Sequence, residues 1–86
     1  MEVNQLIFLI KKKIEKNILT QEIIIKDKTY LHIKHESHSH GKFHLELIVK
    51  SEELSKFSKI ERTKKIYKIL DEEMKKYIHS IQILIS

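Results

Sequence analysis

The sequence contains no cysteine, no proline and no tryptophan, and only one glycine. Without cysteine there can be no disulfide framework, no thiolate zinc site, and no iron–sulfur cluster held by the chain's own sulfurs. Any metal must be met by histidine or carboxylate. Long apolar runs are also missing. The longest uncharged one, LIFLI at residues 6 to 10, is far short of the ~20 residues of a membrane span, and no charged segment precedes it as in a signal peptide. The expectation is a soluble, cytoplasmic chain with no membrane partner. No Pro-, Gly- or Ser-rich stretch interrupts the interior, so residues 1–86 are expected to fold as a single domain.

Apolar residues make up 41% of the chain, sixteen of them isoleucine, which is enough to fill a small core and far from the composition of disorder. Seventeen basic side chains against twelve acidic ones leave a net charge of +5, a balance that can point to nucleic acid. Sixteen of the seventeen are lysine, which lacks the planar fork that reads guanine or grips phosphate bidentately. The Lys and Ile excess reads as compositional drift.

Val3, Leu6, Ile7, Ile10 and Ile14 recur at helical spacing, with Phe8 and Leu9 widening the stripe, so residues 3 to 17 read as an amphipathic helix. The β-branched run at 21 to 25 favours strand. Lys26-Asp27-Lys28 reads as a turn before a second extended run at 29 to 34, and residues 35 to 41, with the only glycine and nothing apolar, read as a loop. Phe43, Leu45, Leu47 and Val49 alternate with His44, Glu46, Ile48 and Lys50, the pattern of a half-buried strand. The runs on either side of the loop are expected to pair as a hairpin.

Ser51-Glu52-Glu53 opens a short helical turn, and Ser58-Lys59-Ile60-Glu61 has the form of a capping box. One helix is expected from about 59 to 76, with Ile60, Ile66, Tyr67, Leu70, Met74 and Tyr77 along its apolar side. Asp71, Glu72 and Glu73 read as a solvated face. Residues 78 to 85 close the pattern as a strand. The order helix, strand, strand, short helix, long helix, strand predicts an α/β (α+β) domain: a small mixed three-stranded sheet with helices packed on one face.

Histidine is the unusual component. His32, His35, His38, His40 and His44 fall within thirteen residues, and only His79 stands apart. In an extended segment His38 and His40 would share a face, and neutral imidazole is the commonest metal ligand. A polar loop that carries histidines for solubility alone explains the cluster equally well. No G-x-G-x-x-G, phosphate-cradling loop, H-E-x-x-H or nucleophile elbow is present, so no enzyme is expected.

The run His35-Glu36-Ser37-His38-Ser39-His40, followed by Phe43-His44-Leu45 leading into Val49-Lys50-Ser51, resembles the BolA family. Glu36, Ser37, His40, His44 and Ser51 match its motifs position by position. Arg62 stands at the first basic residue of the family's Arg-His-Arg helix motif, Glu72-Glu73-Met74 resembles its Glu-Glu-Leu, and Ile78-His79-Ser80-Ile81 its Val/Ile-His-Ala-Leu. The sequence departs from the family in three places. The loop between His40 and His44 is shorter and lacks the usual proline, Leu54-Ser55-Lys56 replaces Phe-x-Gly, and Arg-His-Arg has become Arg62-Thr63-Lys64.

The resemblance implies a class II KH-like fold and a partner, a monothiol glutaredoxin, with which a 2Fe-2S cluster is shared in iron–sulfur or iron handling. The glutaredoxin cysteine and glutathione would supply sulfur; this chain would supply His79 and a loop histidine, His40 or, if the short loop shifts register, His38. Two imidazoles on one iron is the Rieske pattern. The apo chain is expected to be monomeric. Two alternatives remain open at this point. One is a KH-like transcriptional regulator that holds DNA weakly through Arg62, Lys64, Lys65 and Lys68, without the G-x-x-G clamp of KH domains. The other is a metal module built from His38, His40 and His44.

Overall fold

A computed structural model of the protein describes residues 1–29 and 42–86. Helix α1 (Val3–Asn17) begins with a capping box in which Glu2 and Gln5 each satisfy an amide of the other. Its inward stripe is Leu6, Ile10 and Ile14, all fully buried; each contributes about 1.5–3 kcal/mol of burial. Phe8, expected on the apolar side, is instead 63% exposed, with the Lys12 ammonium 5.3 Å from its ring. Two residues from Leu6 and Ile10, it lies around the helix from the stripe.

Three strands follow: β1 (Glu22–Asp27), β2 (Phe43–Lys50) and β3 (Ile78–Ile85). They lie in the order β1-β2-β3, with β2 antiparallel to β1 and parallel to β3. The mixed sheet agrees with the sequence pattern, but from Leu45 to Lys50 the antiparallel partner of β2 is not the expected run at 29–34. It is β1, with Glu22 opposite Lys50 and Asp27 opposite Leu45. Lys26 and Asp27 therefore complete a strand and do not turn. The chain leaves the ladder just after them, where Asp27 Oδ1 accepts the Thr29 amide at 3.0 Å, an Asx turn. The remainder of the 29–34 run and the expected loop at 35–41, with His32, His35, His38 and His40, lie outside the described residues.

Leu45, Leu47 and Val49 of β2 are buried against the helices, flanked by Ile23 and Ile25 of β1 and Ile81, Ile83 and Ile85 of β3. After β2 come α2 (Glu52–Ser55), α3 (Lys59–Ile69) and α4 (Asp71–Lys76). Ser51, 1% exposed, ties this junction together. Its hydroxyl donates to the Leu19 carbonyl at 2.7 Å and accepts the Leu54 amide at 3.1 Å, while its own amide bonds to the Ser86 carbonyl at 2.9 Å. Ser58 caps α3 by accepting the Glu61 amide.

The single long helix expected from 59 to 76 is two helices meeting at Leu70, whose backbone departs to φ −98°, ψ 17°. Neither Pro nor Gly marks the joint. The charges do: α4 starts with Asp71, Glu72 and Glu73 and ends with Lys75 and Lys76, the polarity that the helix macrodipole favours at a new start and end. The buried side of the two helices runs through Ile66, Ile69, Leu70, Glu73 and Met74, whereas Ile60 and Tyr67 are exposed, contrary to expectation. Successive residues turn by 100°, which carries Ile60 and Tyr67 more than a quarter-turn from Ile66.

Glu73 is the second departure. Expected on a solvated face, it is 3% exposed, and both its carboxylate oxygens accept from Lys13 Nζ of α1 at 3.0 Å. Removing one partner strands a charge. Lys13→Met is expected to lower the unfolding free energy by about 2–3 kcal/mol, less than a fully buried pair because Lys13 is one-third exposed. Urea denaturation checks this, and an unchanged midpoint would contradict it. Ser51→Ala, which removes a cap and a buried hydrogen bond, is expected to cost about 2 kcal/mol in the same assay.

Candidate metal-ligating site

The starts of β2 and β3 lie side by side, and their register slips there. Phe43 pairs with Ile78 and His44 with Ser80, so His79 is an extra residue in β3. Such a bulge breaks strict alternation and re-aims side chains. Ile78 faces the core, as do Ile81, Ile83 and Ile85 beyond the bulge. This phase change places His79 and Ser80 together on the sheet face opposite the helices, the face that also receives His44.

His44 is 6% exposed. Its amide donates to Thr29 Oγ1 at 3.1 Å and its carbonyl accepts from the Lys28 amide at 2.7 Å. Nδ1 of the ring shares a 2.7 Å hydrogen bond with Ser80 Oγ, and Nε2 is sealed from solvent. The His79 ring packs on the His44 ring with centroids 4.7 Å apart and planes at 50°, while His79 itself is exposed. One imidazole thus forms a fixed, buried floor, and the other stands on it in solvent.

Among the described residues no three His, Asp or Glu side chains converge as a metal site. His79 is the accessible imidazole here, and the segment carrying His38 and His40 rejoins the described chain at Lys42, two residues before His44. One ring nitrogen of His44 shares a hydrogen bond with Ser80 and the other is buried, while His38 and His40, the other residues of the metal module, lie outside the described residues.

The four cations proposed for nucleic acid line three different grooves along α3. Arg62 is half-buried in a groove with Lys59, Thr63, Ile83 and Ile85, on the β3 flank of α3. Lys65 and Lys68 line a different cleft with Asn17, Ile18 and Ile69, and Lys65 also lies 4.4 Å from the Phe57 ring centroid. Lys64 sits beside Ile60 and Tyr67 on the outer face. Lys65 and Lys68 thus share a cleft that Arg62 and Lys64 do not line.

A model of the family described as BolA-like protein matches residues 14–86, which includes all of β1, β2, β3 and α2 to α4. The chain belongs to the BolA-like family. Among solved structures, the BolA domain of SufE1 from Arabidopsis thaliana is similar at a TM-score of 0.78 and 26% identity, covering 92% of this chain and 87% of that one. BolA1 from Arabidopsis thaliana matches with a TM-score of 0.76 at 21% identity and the same coverage, a likeness of fold. No curated protein sequence matches the chain. Within this BolA-like fold two of the motifs that resembled the family, Phe43-His44-Leu45 and Ile78-His79-Ser80-Ile81, fall at the mouth of the β2–β3 pair, where His44 and His79 meet.

Sequence reasoning missed Ser80 and the bulge, although a signal was present. The core positions step by three from Ile78 to Ile81 before resuming their period of two, which a regular strand cannot do. Ser80→Ala removes a hydroxyl from a buried ring nitrogen and is expected to cost about 1–2 kcal/mol. The His79 ring protons should shift in the NMR spectrum at the same time, because the floor beneath them is released. A variant with wild-type stability and unshifted His79 signals would show that Ser80 does not hold this corner.

Proposed function

We propose that this BolA-like protein is a non-enzymatic adaptor that docks on a monothiol glutaredoxin and contributes histidine ligands to a shared 2Fe-2S cluster. The observation that carries the reading is the exposed His79, lifted out of the strand by a bulge and seated on the buried His44 ring. A ligand needs a fixed ring direction, and outer contacts that orient the imidazole are what supply it. Here packing on His44 supplies that contact, with Ser80 holding His44 in turn.

The donor set fits a shared cluster. This chain has no thiol and offers imidazole, so sulfur must come from the partner: the glutaredoxin cysteine and glutathione. The second ligand is assigned to His40, with His38 as the alternative. Imidazole ligates in its neutral form, so protonation competes with cluster binding. The cluster, when bound, supplies redox-active iron; this chain supplies ligand identity and the surface that holds the partner.

The test is an anaerobic titration of a glutathione-loaded, cluster-bearing monothiol glutaredoxin with this protein, read by visible absorption and circular dichroism. The wild type is expected to give a spectral change that saturates at one-to-one, and His79→Ala to give none while keeping its far-ultraviolet spectrum. His40→Ala and His38→Ala, run in parallel, identify the loop ligand. A full spectral change with His79→Ala would overturn the assignment of that residue, and no change with the wild type would overturn the function.

A further inference from the structure

β3 lies at the margin of the sheet, and among the described residues nothing pairs with its outer edge. Natural edge strands are usually protected by charge, proline or brevity. Apart from the bulge at its start, which also protects an edge, this one has no such protection. Its eight residues, IHSIQILI, include no Lys, Arg, Asp, Glu or Pro. Gln82 and Leu84 are exposed on the face away from the helices, and Leu84 continues an apolar row through Ile48 to Ile24.

The backbone at this edge can be read from its inner bonds. Ser86 donates its amide to the Val49 carbonyl and accepts from the Ser51 amide, both at 2.9 Å, so both of its main-chain groups face β2. In a parallel ladder that role alternates along the strand. With Leu45 opposite Ile81, Leu47 opposite Ile83 and Val49 opposite Ile85, residues 82 and 84 also bond inward. The amides and carbonyls of Ile81, Ile83 and Ile85 therefore point outward.

We propose that β3 pairs antiparallel with β3 of a second copy of this chain, about a two-fold axis at Ile83, which joins two sheets edge to edge. In that register Ile83 meets its own equivalent and Ile81 meets Ile85 of the other copy. Every outward amide then finds an outward carbonyl, giving roughly six hydrogen bonds. The side chains agree with the backbone. The opposed isoleucines are β-branched pairs on the helix side, and Gln82 meets Leu84 on the other side, so no like charges oppose each other within the strands. A two-fold interface demands this kind of self-complementarity. Shifting the axis by one residue, to Gln82, keeps the faces matched but leaves Ile85 opposite the bulged His79 and loses bonds. The occupant is thus a second copy, and the proposal departs here from the expectation of a monomeric apo chain.

The experiment is sedimentation equilibrium of the full chain from about 1 µM to 1 mM, in ~0.3 M salt so that the net charge of +5 is screened. A monomer–dimer equilibrium is expected. Gln82→Lys with Leu84→Lys opposes lysines across the seam at two exposed positions and is expected to raise the dissociation constant at least tenfold, with an unchanged circular dichroism spectrum. Register is read separately with Gln82→Cys and Leu84→Cys in one chain. No other cysteine exists to confuse the result, and two residues on one face of a strand are too far apart to bridge within a chain. Mild oxidation is expected to give a covalent dimer. A wild type that stays monomeric to 1 mM, a lysine variant that still dimerises, or a cysteine pair that yields no covalent dimer would each overturn the proposal.

Discussion

The one-residue phase slip at the start of β3 is the constraint on which the other features rest. A strand without it could present Ile78 to the core or Ile81, Ile83 and Ile85, but not all four, because side chains alternate strictly. The extra residue resolves that conflict, and the core keeps every isoleucine. The cost is a residue that no longer matches the ladder, and that residue is His79. Burial of hydrophobic area on one face of the sheet thus determines where an accessible imidazole stands on the other.

Around that corner the molecule uses few polar contacts, each at a joint between elements. Ser80 meets His44 across the parallel pair, Ser51 draws the end of α1, the start of α2 and the last residue of the sheet to one point, and Glu73 reaches from α4 to Lys13 on α1. Each sits where apolar packing alone leaves orientation open, since hydrophobic burial is non-directional. Helices that share only isoleucines can slide; a carboxylate that must meet one ammonium fixes their register. The chain's Lys and Ile bias supplies bulk, and these few directional bonds supply geometry.

The helix at 3–17, β2 and the final strand beyond its bulge were legible in the sequence because their periods run unbroken, and the short helical turn because Ser51 caps it. The identity of β1 was not. Both the 21–25 and the 29–34 runs carry β-branched residues, and only the pairing with β2, a contact distant in sequence, chooses between them. The break at Leu70 escaped for a related reason: the helical period continues through it, and only the sign of the charges changes. At the site, histidine composition and the resemblance pointed to His79, but burial separates the histidines in a way that composition cannot. His44 lies buried on the central strand, and His79 stands exposed on an outer one. The cations of α3 show the same limit, since basic residues close in sequence line different grooves of one helix.

The parallel pairing of β2 with β3 also shapes how the protein folds. Antiparallel neighbours can be closed by a tight turn, whereas parallel ones need a crossover, and here α2, α3 and α4 all lie between the two strands. Such pairings are closed slowly, because the entropy of the intervening loop is lost before the contacts that reward it form. The contact between the His44 and His79 rings is therefore a non-local one that the whole crossover separates in sequence. It exists only once the crossover helices have packed and β3 has docked, so a nascent or locally unfolded chain carries both imidazoles without the corner that joins them.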